Sequence, residues 1–318
     1  MTAYVEVAPG MSDVNRRRRL GGHRTAGRAA ALATAACLLV SCSDPAPEDV
    51  GGPDAGVSAG SAPPTATSGT TPSGRPEALA SQLDRAVATL RDPDATTAEQ
   101  RRAGELQQLA VRALAQGSDR FERRVTGRLD HRTALVTRAS VRASRLLGAM
   151  TAPQPRLPPW RIVAPPPPGE LLDDYRAAQR RTGVPWTYLA AINLVETRMG
   201  RIRGTSTAGA RGPMQFIPAT WAAYGAGGDV NDPGDAILGA ARLLKANGAP
   251  GDMAGALWHY NQSSSYVRAV SAYAHSMQVA DWAYRGYWHW RVLYSQRRGT
   301  YVLPVGYPDS RAVLLPGH

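Results

Sequence analysis

The chain has little with which to build a cross-linked or metal-bound fold. Its two cysteines, Cys37 and Cys42, both lie near the amino terminus, so the later part has neither a disulfide framework nor a thiolate array. The six histidines form no HExxH pattern, and His259, His275 and His289 read as surface or aromatic-packing residues rather than ligands. No metal and no cofactor is therefore expected. Lysine is nearly absent, with Lys245 the sole example, so the formal charge of +12 is carried almost wholly by arginine. Those arginines are scattered among alanines and leucines, without the basic stripe and stacking platform of a nucleic-acid reader, and no nucleic acid is expected as a partner. An anionic membrane or an acidic polymer suits the charge better.

Aromatic residues are scarce before residue 168 and dense after it: six of the seven Trp and eleven of the twelve Tyr lie beyond that point. A large aromatic core is thus expected only in the second half, and a length of 318 residues fits about two domains. The start reads as an export signal over 1–41. Arg16 to Arg19, Arg24 and Arg28 precede the apolar run Ala29 to Val40, which is too short to span a bilayer comfortably. The run closes in Leu39-Val40-Ser41-Cys42, which resembles the lipobox of bacterial lipoproteins. That resemblance implies cleavage before Cys42, acylation there, and a membrane lipid anchor on the outer face of the cytoplasmic membrane. An ordinary signal peptide containing a cysteine is the plainer alternative.

Residues 42–74 are rich in Pro, Gly, Ser and Thr and read as a disordered tether. Residues 75–150 turn rich in Ala, Leu and Arg. Leu79, Leu83, Val87 and Leu90 share one helical face, and Leu106, Leu109 and Ala113, then Leu135, Ala139, Arg142 and Leu146, repeat the spacing. This helical module reads as a packing accessory or spacer, or as a surface for cell-wall synthesis or division proteins. Residues 151–168, with Pro165 to Pro168, read as a stiff linker.

Beyond it, Tyr188, Ala191, Ile192, Val195 and Met199 recur at helical spacing, with Glu196 on the border of that stripe. Desolvation there raises a carboxyl pKa and can keep it protonated near neutrality. A border glutamate is more often solvated or paired, and Arg198 is close by. The surroundings favour chemistry. Gly204 to Pro213 forces a tight connection before Met214-Gln215-Phe216-Ile217-Pro218, and Ala256-Leu257-Trp258-His259-Tyr260-Asn261 precedes a helical run through Val267, Val270 and Tyr273.

In order and spacing, Glu196-Thr197, Gly212-Pro213-Met214-Gln215 and His259-Tyr260-Asn261 resemble the three signatures of the lytic transglycosylase domain with a goose-lysozyme-like fold. The resemblance implies a mainly α chain. Its lysozyme-like catalytic domain, residues 169–298, would follow the helical module and the tether, with 299–318 as a tail. It implies Glu196 as the catalytic acid and Thr197, Met214, Gln215, Tyr260 and Asn261 as substrate-binding residues, Tyr260 orienting Glu196 or the substrate. Thr197 stands where the family has serine, and Pro213 where it has leucine.

The implied partner is the peptidoglycan glycan strand, and the implied reaction cleaves the bond between N-acetylmuramic acid and N-acetylglucosamine, leaving a 1,6-anhydro end. Most glycosidases need two carboxylates. Asp229, Asp232 and Asp235 read as loop and cap residues, although folding could bring one close. A hydrolytic muramidase of the same fold and a catalytically silent wall-binding lipoprotein are the alternatives. Trp186, Trp221, Tyr224, Trp258 and Tyr260 suit a glycan groove, of which about two are expected to line it. Because all three motifs lie within it, the stretch from about 169 to 300 is expected to be active alone.

Overall fold

The placement of caps and prolines dictates where the helices begin. Four of them open on proline at their first or second position, where a fixed φ and a missing N–H cost nothing. Another opens on a capping box in which Thr96 and Glu99 satisfy each other's backbone donors. The computed structural model describes residues 71–316. The signal segment, Cys42 and all of the tether except its last residues lie outside the described residues. Thr71 and Ser73 are bonded to the Gln82 side chain.

The chain is mainly helical. The helices of the module are α1 (Pro76–Arg91), α2 (Thr97–Gln116), α3 (Asp119–Thr126) and α4 (His131–Ala149). After strand β1 (Arg161–Ile162) come α5 (Pro168–Thr182), α6 (Trp186–Thr197), strand β2 (Ile202–Arg203), α7 (Pro218–Tyr224), α8 (Pro233–Ala246), α9 (Met253–Tyr260), α10 (Ser264–Val279) and α11 (Asp281–Trp288). Strands β3 (Val292–Gln296), β4 (Gly299–Leu303) and β5 (Val313–Leu314) form an antiparallel sheet in that order, and β1 pairs antiparallel with β2.

The face expected on α1 is the buried one, since Leu79, Leu83, Val87 and Leu90 are all in the core. On α4 the buried residues are instead Thr133, Ala134, Val136, Thr137, Ser140, Val141 and Ala143, while Leu135, Ala139 and Leu146 are half-buried and Arg142 is exposed. The reason is its position between α2 and α10, where small and hydroxyl side chains permit close approach on two sides. The stripe expected on α6 is corrected likewise. Leu189 to Leu194 are buried without interruption, whereas Tyr188 and Val195 are half-buried, because α6 runs through the core with neighbours all round.

The module shares one hydrophobic core with the later helices, from Leu83 and Val141 to Ile192 and Tyr273. Polar contacts seal this seam. Gln108 donates to the Arg291 carbonyl and accepts from its N–H, both at 2.8 Å, and the Trp290 indole donates to Gln107. The Ser140 and Tyr287 hydroxyls lie 2.6 Å apart, and Arg285 donates to the Leu90 carbonyl. At the crossing of α2 with α11 the backbones nearly touch: a Cβ on Gly104 would come within 2.5 Å of the His289 Cβ. A spacer or separable module does not have such a seam.

The segment expected as a free linker is docked along its length. Gln154 donates to Ser295, β1 bonds β2, and the Pro166 and Pro168 carbonyls accept from Trp288 and Tyr284. The boundary expected at 298 falls in the β3–β4 turn, whose strands pair from Val292–Leu303 to Gln296–Gly299, so residues 299–303 belong with the strands before them.

Candidate active site

Glu196 is the penultimate residue of α6, two positions before a left-handed turn. Arg198 and Met199 both have positive φ, at 54° and 61°, which stops the helix and turns the chain back toward β2. A buried network fixes that end. Thr197 donates to the Pro213 carbonyl at 2.6 Å and accepts from Asn193 and from the Gly200 N–H, while Asn193 donates to the same carbonyl at 2.8 Å and accepts from Tyr175. The first two signatures are thereby joined. Pro213 lacks a donor where none is needed, because the turn closes through Arg211, Gln215 and Phe216. Thr197→Val is expected to lower stability by about 1–3 kcal/mol, since buried groups lose their partner, whereas Thr197→Ser keeps the hydroxyl and should cost little. Thermal unfolding of the two variants checks this.

The Glu196 carboxylate receives the Tyr266 hydroxyl at 2.7 Å. Burial pushes its pKa up to about 7, and the Tyr266 bond pulls the other way. Arg198, its neighbour in sequence, forms no ion pair with it among the described residues, and burial lowers the pKa of that guanidinium. A desolvated, unpaired carboxyl poised near neutrality is suited to giving and retaking a proton.

Glu196 opens onto a cleft of about 670 Å³, in which it is the only lining carboxylate among the described residues. The cleft walls come from four stretches of chain: Arg112 and Leu147 of the module, Trp160 of the docked segment, Glu196 and Gln215, and Tyr294 with Thr300 of the hairpin. Arg112 bonds the Thr300 hydroxyl at 2.7 Å, which ties the module to the hairpin. Asp229, Asp232 and Asp235 lie elsewhere: Asp229 holds Asn231, Asp232 caps α8, and Asp235 accepts from the Asp229 N–H. Among the described residues no group of His, Cys, Asp and Glu is arranged to hold a metal.

Of the residues expected at the site, Glu196 and Gln215 line the cleft. Gln215, at φ 51°, donates to the Gly212 carbonyl and has a buried side-chain oxygen with no partner. Thr197 and Met214 are fully buried, Tyr260 and Asn261 nearly so, and none of the four lines the cleft. Tyr260 donates its hydroxyl to the Met214 carbonyl rather than to Glu196. It stacks parallel behind Tyr266, with ring centroids 6.4 Å apart. The hydroxyl on Glu196 is therefore that of Tyr266, which sequence reasoning passed over. The available signal was its spacing with Val270 and Tyr273, which puts it on the buried face of α10.

The expected groove aromatics pack elsewhere. Trp186 meets Tyr284 edge-on, Trp221 meets Phe216, and Trp258 is 45% exposed outside the cleft. Trp160, Tyr273, Trp290 and Tyr294 line the cleft instead, Trp160 and Tyr294 in an edge-on pair.

Residues 174–282 match the family described as the Transglycosylase SLT domain, and this stretch of the chain is a lytic transglycosylase-like catalytic domain. At the level of that family its activity is directed at peptidoglycan, which places its action at the cell wall, outside the cytoplasm. The match spans Glu196, Gln215 and Tyr266 and leaves the helical module outside. No curated protein and no solved structure matches the chain. Among the described residues no helix is long and apolar enough to cross a membrane.

Proposed function

We propose that the protein cleaves the bond between N-acetylmuramic acid and N-acetylglucosamine without water, with Glu196 serving first as acid and then as base. The supporting observation is a carboxyl with its pKa raised to about 7, in a cleft that it shares with no other carboxylate among the described residues. Protonated Glu196 gives its proton to the glycosidic oxygen as the bond from the muramic C1 to that oxygen breaks. The muramic 6-hydroxyl attacks C1 of the oxocarbenium-like sugar, and the Glu196 carboxylate takes the hydroxyl proton. The carboxyl is regenerated, no water is consumed, and the new end is a 1,6-anhydro ring. An attacking group carried within the substrate needs no second carboxylate to activate it.

In this reading Tyr266 positions the carboxyl, and the free oxygen of Gln215 accepts an N–H or O–H from the sugar. Thr197 and Tyr260 act behind the surface, by bonding the Pro213 and Met214 carbonyls of the loop that carries Gln215, and Met214 and Asn261 are buried there with them. Export and anchoring through Cys42 complete the proposal and place the enzyme on the outer face of the cytoplasmic membrane. Loss of detergent partitioning in Cys42→Ala tests that part.

Mass spectrometry of digested sacculi tests the reaction. Anhydro ends are lighter by one water than reducing ends, and a digest holding only reducing ends would make the enzyme a muramidase. The pH profile tests the acid. Cleavage should decline as pH rises through about 7, where Glu196 loses its proton. Tyr266→Phe removes the bond that favours the ionised form, so this limb should move to higher pH. Tyr260→Phe, which removes a hydroxyl bonded to the Met214 carbonyl and not to Glu196, should leave it in place.

A further inference from the structure

A second concavity, of about 560 Å³, lies beside the cleft and shares Ile202, Gly204 and Thr205 with it, so the β2 segment is a common wall. Three arginines line it: Arg161, Arg203 and Arg211. None of the three forms an ion pair among the described residues. Their positions are set by the backbone. Arg161 and Arg203 are direct partners in the β1–β2 pair, an arrangement in which like charges destabilise the pairing. The pair is held regardless, because Ile162 is buried on the opposite face and bonds through its N–H to Tyr307, while the Val163 N–H bonds to Arg201. Among the described residues the only polar contact of these guanidinium groups is a long one, 3.5 Å, from Arg203 to the Asn231 carbonyl.

Three cations held together without an anion, one wall away from the scissile site, call for an anion from outside. We infer that this pocket binds the carboxylates of the acidic peptide that peptidoglycan carries on its muramic acid. The inference rests on the proposed substrate, whose muramic acid carries a peptide beside the glycan, and on the wall that this pocket shares with the cleft of Glu196. Guanidinium groups grip carboxylates through paired N–H donors, which fixes direction as well as charge. The pocket then sets which strands are cut well, favouring those that bear peptides over those that have been stripped.

Two measurements test this. The first is calorimetric binding of the free acidic peptide, released from sacculi by an amidase, to the parent and to the triple variant Arg161→Gln, Arg203→Gln, Arg211→Gln. Each exposed pair contributes modestly, so affinity should fall about tenfold over three. Replacement of all three by Lys keeps the charge without the paired donors and should restore only part of it. The single Gln variants give smaller losses if the triple variant fails to fold.

The second is cleavage kinetics on soluble strands with and without peptides. The triple variant should show a raised KM on peptide-bearing strands and a much smaller change on stripped ones. Equal peptide binding by parent and variant overturns the inference. So does a pocket that binds inorganic phosphate and ignores the peptide, which would point to a phosphate-bearing wall polymer. If the parent cuts neither strand yet binds peptide through these arginines, the lytic reading fails and the site stands.

Discussion

Glu196→Gln should abolish cleavage of sacculi while making the protein more stable at alkaline pH. Glutamine keeps the volume and accepts the Tyr266 hydroxyl, but it has no proton to give. General acid–base help is worth about 100- to 10,000-fold, and more is lost where one group performs both steps. The stability gain follows from linkage. The folded carboxyl has its pKa near 7 against 4.5 for the free side chain, so the native state binds the proton more tightly than the unfolded one. That contribution is present in full below about 4.5 and is lost as pH rises through about 7. Above it, the parent carries a desolvated charge that costs up to about 3 kcal/mol, and the Gln variant does not. The difference in Tm should therefore be near zero at pH 4.5 and largest above pH 8. A variant that cut at the parent rate, or a Tm difference flat with pH, would sink the assignment.

A fragment holding residues 169–300 should neither fold cooperatively nor cut, in contrast to the expectation from motif positions alone. Removing the module bares Tyr273, Tyr287 and Trp290, which are buried against it or beside the seam, and leaves the Ser140, Gln107 and Gln108 partners unsatisfied. Each large buried side chain is worth about 1.5–3 kcal/mol, and a domain's whole margin is only about 5–15 kcal/mol. The cleft would also lose the wall that carries Arg112. Gly104→Leu in the full chain should act the same way more gently, by forcing α2 from α11 at a contact with no room for a Cβ. Thermal melts and turbidity clearing of sacculi read both. A fragment with a sharp transition and parental activity would show that the seam is dispensable.

What the sequence disclosed depended on how local the cause was. The face of α1 was legible because caps, prolines and spacing act within a few residues. Glu196 was singled out because three separated motifs agreed, and it lines a cleft with its pKa raised to about 7 by burial. Tyr266 was missed because it stands outside the motif that draws the eye to Tyr260, and the two exchange the expected hydrogen bond. The burial of α6 was misread because counting a stripe presumes one wet side, and this helix has hardly any. The docked strand β1 was read as linker because proline content reports local stiffness, not whether the backbone finds a partner. Arg161 gained its meaning only when Arg203, far along the chain, came opposite it.

The seam also orders events in time. Gln108 finds Arg291 across 183 positions, and Arg112 finds Thr300 across 188. Helix α2 therefore waits for residues near 291 and 300 before these polar groups are satisfied. Closing so long a loop adds little to the equilibrium cost, because that cost grows only with the logarithm of length, but it slows the search. A chain crossing a membrane amino end first would emerge with α1 to α4 unable to finish. Its cleft would stay unformed until the hairpin had passed through, so a lytic activity of this kind could not begin before that point.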